Sequence, residues 1–286
     1  MTTDVLLSDL QGILARKQAV IVAGAGVSIG ATNRAETASW VGLIRHGARR
    51  AVEVVPGTTP KWLEIIEAEL DSGDLDNLLS AAQKVSKKLP AGEYARWLRE
   101  SVGALRPSNP AVPAALAAFG VPILTTNYDD IIERATGLPA VNWTRPAGVE
   151  AVLRGDERGV IHVHGHWQEP ESVVLGISSY EEILRYPPIQ ALLQALRATR
   201  SLVFVGYGKG LADPNFGALL AWARRAFSGS EYRHFRLVLE SEREEIQREH
   251  PPEDRVFAIS YGTNHADLAG FLGGLAGAAL QPPQEP

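Results

Sequence analysis

Short apolar runs alternate with helical patterns along most of the chain. Gln18–Ala23 has the pattern of a buried strand, and Pro122–Thr126 and Ser201–Gly206 are apolar on both faces, as in a parallel sheet covered by helices on both sides. Further strands are predicted at Val160–His164, Ser172–Leu175, Phe235–Glu240 and Arg255–Ser260. Helices are predicted at Asp130–Ala135, Tyr180–Leu184, Ile189–Ala198, Asn215–Phe227, Ser241–His250 and Asn264–Leu275. This order predicts an α/β fold with a doubly wound, mostly parallel, Rossmann-like sheet.

Only helical periodicity is present between Lys61 and Leu105. Two apolar stripes at helical spacing lie in this block, and Asp71-Ser72-Gly73 separates them. We therefore predict an all-helical insert at about residues 57–106, carried by a single domain of residues 1–280. The biased segment 281–286 (QPPQEP) is predicted to be a disordered tail.

The chain of 286 residues contains no cysteine, which excludes disulfides, thiol nucleophiles and thiolate metal sites. Its 28 Lys and Arg stand against 33 Asp and Glu, a formal net charge of −5. This mild acidity argues against direct nucleic-acid binding. The longest near-apolar runs, Ala19–Ala31 and Leu268–Leu280, are shorter than the roughly 18–20 residues of a membrane span. Since the N-terminus also lacks the order of a signal peptide, we expect a cytoplasmic protein without membrane contact.

The segment Gly24-Ala25-Gly26-Val27-Ser28 closes the first predicted strand. Glycines at this place allow a tight turn and let backbone N–H groups approach a phosphate at a helix N-terminus. The spacing of Gly24, Gly26 and Gly30 is one residue longer than in the usual dinucleotide fingerprint, and no acidic residue ends a second strand about 20 residues on. These departures argue against an ordinary dehydrogenase. A tight turn without ligand contact remains the alternative to a phosphate site.

A polar segment, Thr125-Thr126-Asn127-Tyr128-Asp129, follows at the carboxyl end of the next core strand. Ligands of parallel sheets bind outside these strand ends. The amide of Asn127 is suited to orient a water or a sugar hydroxyl, so we predict a functional role for it. Asp129 is equally suited to contact a ligand and to cap the following helix, and both roles stay open.

Three histidines end the strand predicted at Val160–His164. Strand alternation puts His162, His164 and His166 on one face if the strand continues, which would suit a metal site, but Gly165 is expected to break the strand. A second interpretation makes one histidine a general base, because its ordinary pKa suits that task. His162 and His166 are interpreted as surface or packing residues.

A second glycine turn, Gly206-Tyr207-Gly208, follows the strand at Ser201–Gly206. Two such turns in one sheet favour close approach of Gly206 and Gly208 to a ligand. Asp213 precedes Pro214 at the start of the next predicted helix, where it is suited either to cap that helix or to contact a ligand.

Taken in order, these segments resemble the sirtuin-like family, whose members show GAG-x-S, T-x-N-x-D, HG and a late glycine turn. The resemblance spans about residues 18–275. Deacylase sirtuins hold a structural zinc with four cysteines, and this chain has none. Gly30-Ala31-Thr32-Asn33-Arg34 also replaces their Gly-Ile-Pro-Asp-Phe-Arg, and Gly206-Tyr207-Gly208 replaces Gly-Thr-Ser. The chain is more similar to the zinc-less bacterial sirtuin-like NAD hydrolases of anti-phage defence, through Ser39-Trp40, TTNYD, the helical insert and Tyr180 beyond HG.

This resemblance implies that water cleaves NAD to nicotinamide and ADP-ribose, with NAD as substrate and no zinc. It implies catalytic roles for Asn127, which would orient the water or a ribose hydroxyl, and for His164, which would be the general base or polarise the ribose hydroxyls. The first glycine turn would cradle the pyrophosphate, and the second would line the adenosine side. The residues expected to bind NAD are Gly24, Ala25, Gly26, Ser28, Asp129, Gly206, Tyr207, Gly208 and Asp213.

Three other functions stay open on the sequence. These are a protein deacylase or ADP-ribosyl transferase, a non-catalytic nucleotide sensor, and a Rossmann oxidoreductase. The missing zinc module weakens the first, Asn127 and His164 argue against the second, and the glycine spacing weakens the third. Because an ungated NAD hydrolase would drain its own cell, we also expect control by an activating partner protein or by self-assembly.

Overall fold

A sheet of parallel strands forms the centre of the molecule. The computed structural model describes residues 3–186, 196, 200–208, 232–250, 252 and 255–279. Seven strands lie in the described part, in the spatial order β3-β4-β2-β1-β5-β6-β7. Their bounds are β1 Ala19–Ala23, β2 Ile123–Thr125, β3 Ala140–Asn142, β4 Val160–His162, β5 Ser201–Val205, β6 His234–Val238 and β7 Val256–Ser260.

Helices connect and cover these strands. The described helices are α1 Thr3–Ala15, α2 Ala25–Ala31, α3 Trp40–Val54, α4 Pro60–Asp71, α5 Leu75–Lys88, α6 Ala91–Glu100, α7 Ala111–Ala118, α8 Ile131–Thr136, α9 Pro146–Arg154, α10 Ile177–Arg185, α11 Arg243–Glu249 and α12 Asp267–Ala279. Short 3-10 turns lie at Glu36–Ala38, Val102–Ala104, Pro170–Ser172 and Glu240–Glu242. None of the described helices is long and apolar enough to cross a membrane.

Both faces of the sheet are buried, which explains the continuous apolar character of its central strands. All five residues of β1 and all five of β5 are buried. Successive side chains point to opposite faces, so Ile21 packs into one core cluster with Phe235, while Val22 packs into another with Phe204. The doubly wound parallel α/β sheet predicted from the sequence is confirmed.

A third core cluster lies among helices α3 to α6. Trp97, Ile44, Ile66 and Leu78 are buried in it, and Trp97 donates a hydrogen bond from Nε1 to Nδ1 of His46 at 3.1 Å. Three helices thus occupy the block in which only helical periodicity is present. That this block is an insert of residues 57–106 within one domain stays a prediction.

Two helix starts in this block follow local capping rules. The Thr59 side chain accepts from the backbone N–H of Trp62 at the start of α4, and Pro60 occupies the first turn, where its missing N–H costs nothing. Asp74 caps α5 by accepting from the N–H groups of Asp76 and Asn77. The caps fix where each helix begins, so that its apolar stripe faces the shared core.

The strand predicted at Ser172–Leu175 is wrong. Ser172 ends a 3-10 turn, and Val173–Leu175 is buried without a strand ladder. The turn at Gly165 explains this, because it brings the segment back against β4's end, where the Val174 N–H donates to the carbonyl of His164 at 2.9 Å. Conversely, β3 is a strand that the sequence pattern did not predict, since it has three residues and only Asn142 is fully buried.

Two further predictions lie mainly outside the described residues. The helix expected at Ile189–Ala198 includes one described residue, Leu196, and the helix expected at Asn215–Phe227 includes none. The predicted tail 281–286 also lies outside.

Candidate functional site

The register of the sheet brings the predicted site segments to one edge. Ala23 is paired with Thr125 and with Val205, and Thr125 is paired with His162. The chain therefore leaves β1, β2, β4 and β5 at the same level, at the carboxyl ends of neighbouring strands. This is the edge at which doubly wound sheets hold their ligands.

The two glycine turns pack against each other backbone to backbone. The Gly24 N–H donates to the Val205 carbonyl at 2.9 Å, and the Gly26 N–H donates to the Gly206 carbonyl at 3.0 Å. A Cβ on Gly26 would lie 2.8 Å from the Cα of Gly206, whose φ is +80°. Because the N–H of Gly26 already donates to Gly206, Gly26 could contribute to a phosphate cradle only by leaving room for the ligand.

Tyr207 is buried beneath the first turn. Its side chain is 1% exposed, and a Cβ on Gly24 would lie 2.6 Å from its ring. The hydroxyl lies 2.9 Å from Oγ1 of Thr126 and donates to the carbonyl of Ala23 at 3.3 Å. In this arrangement Tyr207 joins three segments of the edge and presents no surface to a ligand.

Gly208 and Asp213 are the other residues expected around the second turn. A Cβ on Gly208 would lie 3.2 Å from a carboxylate oxygen of Glu242. Asp213 lies outside the described residues.

Asn127 is held in a buried chain of hydrogen bonds. Its Nδ2 donates to the Gly24 carbonyl at 3.1 Å and to Oγ of Ser28 at 2.9 Å. Ser28 in turn donates to Oδ1 of Asp129 at 3.0 Å, and the same carboxylate oxygen accepts from the Ile131 N–H at 3.0 Å. Asp129, one residue before the N-cap Asp130, therefore ties the first N–H of α8 to Ser28, although both of its roles were open on the sequence.

The partners of Asn127 define which way its amide faces. The carbonyl of Gly24 can only accept, so the atom opposite it must be the amide nitrogen. Both N–H groups of that nitrogen are used, and the described residues donate no hydrogen bond to Oδ1. Asn127 lines a pocket and is 8% exposed. It can therefore offer a bound molecule an acceptor and no donor.

Burial sets the protonation of Asp129. Removal from solvent raises the pKa of its carboxyl to about 6, against the opposing effect of the hydrogen bonds from Ile131 and Ser28. The charge of Glu133 acts in the same direction as burial. Asp129 thus titrates close to neutral pH.

The three histidines take three different environments. His162 is fully buried, with Nδ1 at 2.9 Å from the Asn127 carbonyl and Nε2 at 2.6 Å from Oε1 of Glu133. His164 packs edge-on against Tyr180, with ring centroids 5.5 Å apart. Burial and the neighbouring charge of His162 lower the pKa of His166 to about 3, so His166 is neutral.

The three histidines do not all share one face, because β4 ends at His162 and Gly165 takes a φ of +88°, although the rings of His162 and His166 lie 4.6 Å apart. Both ring nitrogens of His162 already face oxygen partners. Among the residues that the structure describes, no group of three or more His, Asp or Glu is placed to hold a metal ion.

The pocket beside Asn127 has a volume of about 20 Å³, enough for a water molecule. Asn127, Asp129, Trp40 and Ser39 are among the residues that line it. Trp40 is 5% exposed, and its Nε1–H has no acceptor among the described residues. The pocket therefore offers a molecule the amide acceptor of Asn127.

Two of these site residues had no assigned role on the sequence alone. The sequence points to Trp40 only through the family resemblance, and it gives no role to Glu133. An acidic residue in the first turn of the helix after Asp129 is the signal that marks Glu133. Its pairing with His162 depends on the parallel register of β2 and β4, which periodicity does not reveal.

The fold and this edge define an α/β protein of the Rossmann-like type, with its candidate site where parallel strands end. Comparison with known proteins agrees: the SIR2-like domain matches residues 121–260, which contain Asn127, His164 and Gly206. Over these residues the chain is similar to the sirtuin-like family.

Three named relatives extend this comparison. The chain is 32% identical over 135 residues to "Defense-associated sirtuin 2" of Bacillus subtilis, covering 46% of this chain and 13% of that protein. It is 31% identical over 138 residues to "NAD(+) hydrolase ThsA" of Bacillus cereus (strain MSX-D12), covering 46% and 28%. It is 26% identical over 191 residues to "NAD(+) hydrolase ThsA" of Acinetobacter baumannii (strain 532279), covering 63% and 39%. The matches thus span less than two fifths of each relative.

Proposed function

We propose that the protein hydrolyses NAD at the bond between nicotinamide and ribose. The observation that carries the proposal is the arrangement of Asn127, whose two donors are spent within the protein while its acceptor Oδ1 is left at the pocket. Water and ribose hydroxyls are donors that fit such an acceptor. The SIR2-like domain and the two relatives named NAD(+) hydrolase support the same substrate.

The reaction consumes NAD⁺ and water and yields nicotinamide, ADP-ribose and a proton. The bond between the ribose carbon and the pyridinium nitrogen breaks, and its electron pair leaves with neutral nicotinamide. The leaving group therefore needs no acid, and the ribose passes through an oxocarbenium-like state, as in glycoside hydrolysis. Water supplies the new C–O bond, and its proton must be taken up.

Asn127 and His164 divide this work. The Oδ1 of Asn127 accepts a hydrogen bond from the water or from a ribose hydroxyl and so orients it. His164, at the same edge, takes up the proton or polarises the ribose hydroxyls. A positioned general base typically contributes about 10²–10⁴-fold to the rate.

The first glycine turn cradles the pyrophosphate. Gly24, Ala25 and Gly26 lie where β1 passes into α2, so a diphosphate would face the start of a helix. The hydroxyl of Ser28 is engaged with Asp129, and its contribution is to hold Asn127.

In the cell, we propose that the protein is a gated, NAD-depleting effector of bacterial anti-phage defence. The relative named "Defense-associated sirtuin 2" supports this role. An activating partner protein or self-assembly would switch the activity on, because constant hydrolysis would drain the cytoplasmic NAD pool.

Product analysis after incubation with NAD tests the proposal. Release of nicotinamide with ADP-ribose, alone or after addition of candidate activators, is the expected result, and Asn127→Ala and His164→Ala should lose at least 100-fold of it, about the scale of one catalytic group. Glu150→Gln, on the exposed side of α9, is the matched control and should keep full activity. Nicotinamide release only with an acylated peptide would instead indicate a deacylase, and binding without products a nucleotide sensor.

A further inference from the structure

His162 is a buried histidine between two oxygen acceptors. Its Nδ1 faces the backbone carbonyl of Asn127 at 2.9 Å, and its Nε2 faces Oε1 of Glu133 at 2.6 Å. A carbonyl and a carboxylate only accept, whereas a neutral imidazole has one donor and one acceptor nitrogen. Both contacts are satisfied together only when both nitrogens donate, that is, when His162 is an imidazolium.

The groups around His162 support this charge. Burial by itself would lower the pKa of His162, but the Glu133 carboxylate and the two hydrogen bonds outweigh it, so that the pKa lies above its ordinary value. Asp129 adds a further favourable charge. Among the described residues His166 is also close: its ring centroid lies 4.6 Å away, and it is neutral because burial lowers its pKa.

This imidazolium holds the backbone of Asn127, one of the two residues that carry the proposed chemistry. The Asn127 backbone N–H donates to Oγ1 of Thr125, its side-chain nitrogen donates to Gly24 and Ser28, and its carbonyl accepts from His162. Of these anchors, only the bond from His162 is donated by a charged group, and such bonds are about twice as strong as neutral ones. The side chain of His162 is fully buried, so His162 touches no substrate.

We propose that the Glu133–His162 pair is a positioning device for Asn127. It fixes the backbone of the turn after β2 so that Oδ1 of Asn127 points at the reacting ribose or water. The proposal rests on the proposed NAD hydrolysis for its effect on rate, while its effect on the turn does not depend on any substrate.

Three variants separate the parts of the device. His162→Phe keeps a buried ring but removes both donors. His162→Asn restores one amide donor close to the position of Nδ1. Glu133→Gln keeps a hydrogen-bonding partner for Nε2 but removes the charge. Glu150→Gln again serves as the control.

The first measurement is hydrogen exchange of residues 126–129 in the protein without substrate. Exchange there should quicken about tenfold in His162→Phe, as expected for loss of one charge-assisted bond, and return towards the wild-type rate in His162→Asn. Faster exchange spread evenly over the chain would show a general loss of stability, and unchanged exchange in this segment would show that no positioning occurs. Either result overturns the proposal.

The second measurement is NAD turnover under the conditions that activate the wild type. For His162→Phe we expect kcat to fall about 10–100-fold with KM changed less than about threefold, and for Glu133→Gln an intermediate loss. A rise in KM as large as the fall in kcat, or an unchanged kcat, contradicts the proposal. If the wild type cleaves no NAD under any condition, the proposed function fails, and the exchange measurement still decides whether His162 positions the turn.

Discussion

Two glycines of the same short helix should respond in opposite ways to the same substitution. Gly26 and Gly30 both lie in α2. A Cβ on Gly26 would lie 2.8 Å from both the Cα and the carbonyl oxygen of Gly206, whereas a Cβ on Gly30 would meet nothing within 4 Å. Alanine at the two positions therefore tests whether the two glycine turns are packed backbone to backbone.

The size of the effect follows from these distances. Unstrained carbon contacts lie at about 3.5–4.0 Å, so Gly26→Ala overlaps the Gly206 backbone by about 1 Å. Overpacking of this kind costs about 1–3 kcal/mol, and loss of the bond from the Gly26 N–H adds about 1 kcal/mol. The better helix propensity of alanine offsets up to about 1 kcal/mol of this loss. We expect a net loss of about 1–3 kcal/mol for Gly26→Ala and a gain of about 0.5 kcal/mol for Gly30→Ala.

Thermal unfolding of the two variants beside the wild type measures the difference. In a protein of this size 1 kcal/mol shifts Tm by roughly 2–4 °C, so Gly26→Ala should melt roughly 5–10 °C below Gly30→Ala. NAD turnover of Gly26→Ala should fall as well, since the turn carries the proposed pyrophosphate cradle. Equal melting temperatures for the two variants would refute the packing of the turns.

Three other predictions concern the same edge of the sheet. Burial raises the pKa of Asp129 from 3.8 to about 6. As pH falls from above 6 to below 4, the wild type should therefore gain about 3 kcal/mol of unfolding free energy relative to Asp129→Asn. Urea titrations at the two pH values that show no such relative gain would contradict this. Gly165→Ala adds a Cβ 2.2 Å from the Ser172 carbonyl at a φ of +88° and should lower the free energy of unfolding by at least about 3 kcal/mol. Gly155→Ala, where φ is +82° and space is open, should lower it by about 1 kcal/mol. Equal losses in urea titrations would be the contrary result. Tyr207→Phe removes a buried hydroxyl that is hydrogen-bonded to Thr126 and should lower the free energy of unfolding by about 1–3 kcal/mol. In a Thr126→Val background the loss should be smaller, and chemical denaturation of the four variants measures the difference.

The central strands and their common edge were predictable because burial on both faces leaves a direct trace in the sequence. β1 is apolar throughout and β5 is apolar after Ser201, and each strand is followed at once by a glycine turn. A parallel sheet then forces all such turns to one side. The short edge strand β3 leaves no such trace, because three residues with one fully buried side chain are too few for a pattern.

The roles of single residues within the edge were less predictable. Tyr207 follows Gly206 and was expected to line a ligand, but the φ of Gly206 turns it under the first glycine turn, where its ring fills the space that Gly24 leaves. Its hydroxyl finds partners contributed by β1 and by the segment after β2. Partners so distant along the chain come from tertiary packing, which neither spacing nor composition encodes.

The histidines show most clearly why site chemistry needs the fold. His162 and His164 are two residues apart, so an uninterrupted strand would give them the same surroundings. The structure ends β4 at the first of them, so His162 lies beneath the edge against Glu133, while His164 packs against Tyr180. One histidine thereby carries a fixed charge that no substrate reaches, and the other lies at the level of Asn127. This division allows a charged group to hold the turn from beneath while Asn127 presents an uncharged acceptor to the pocket.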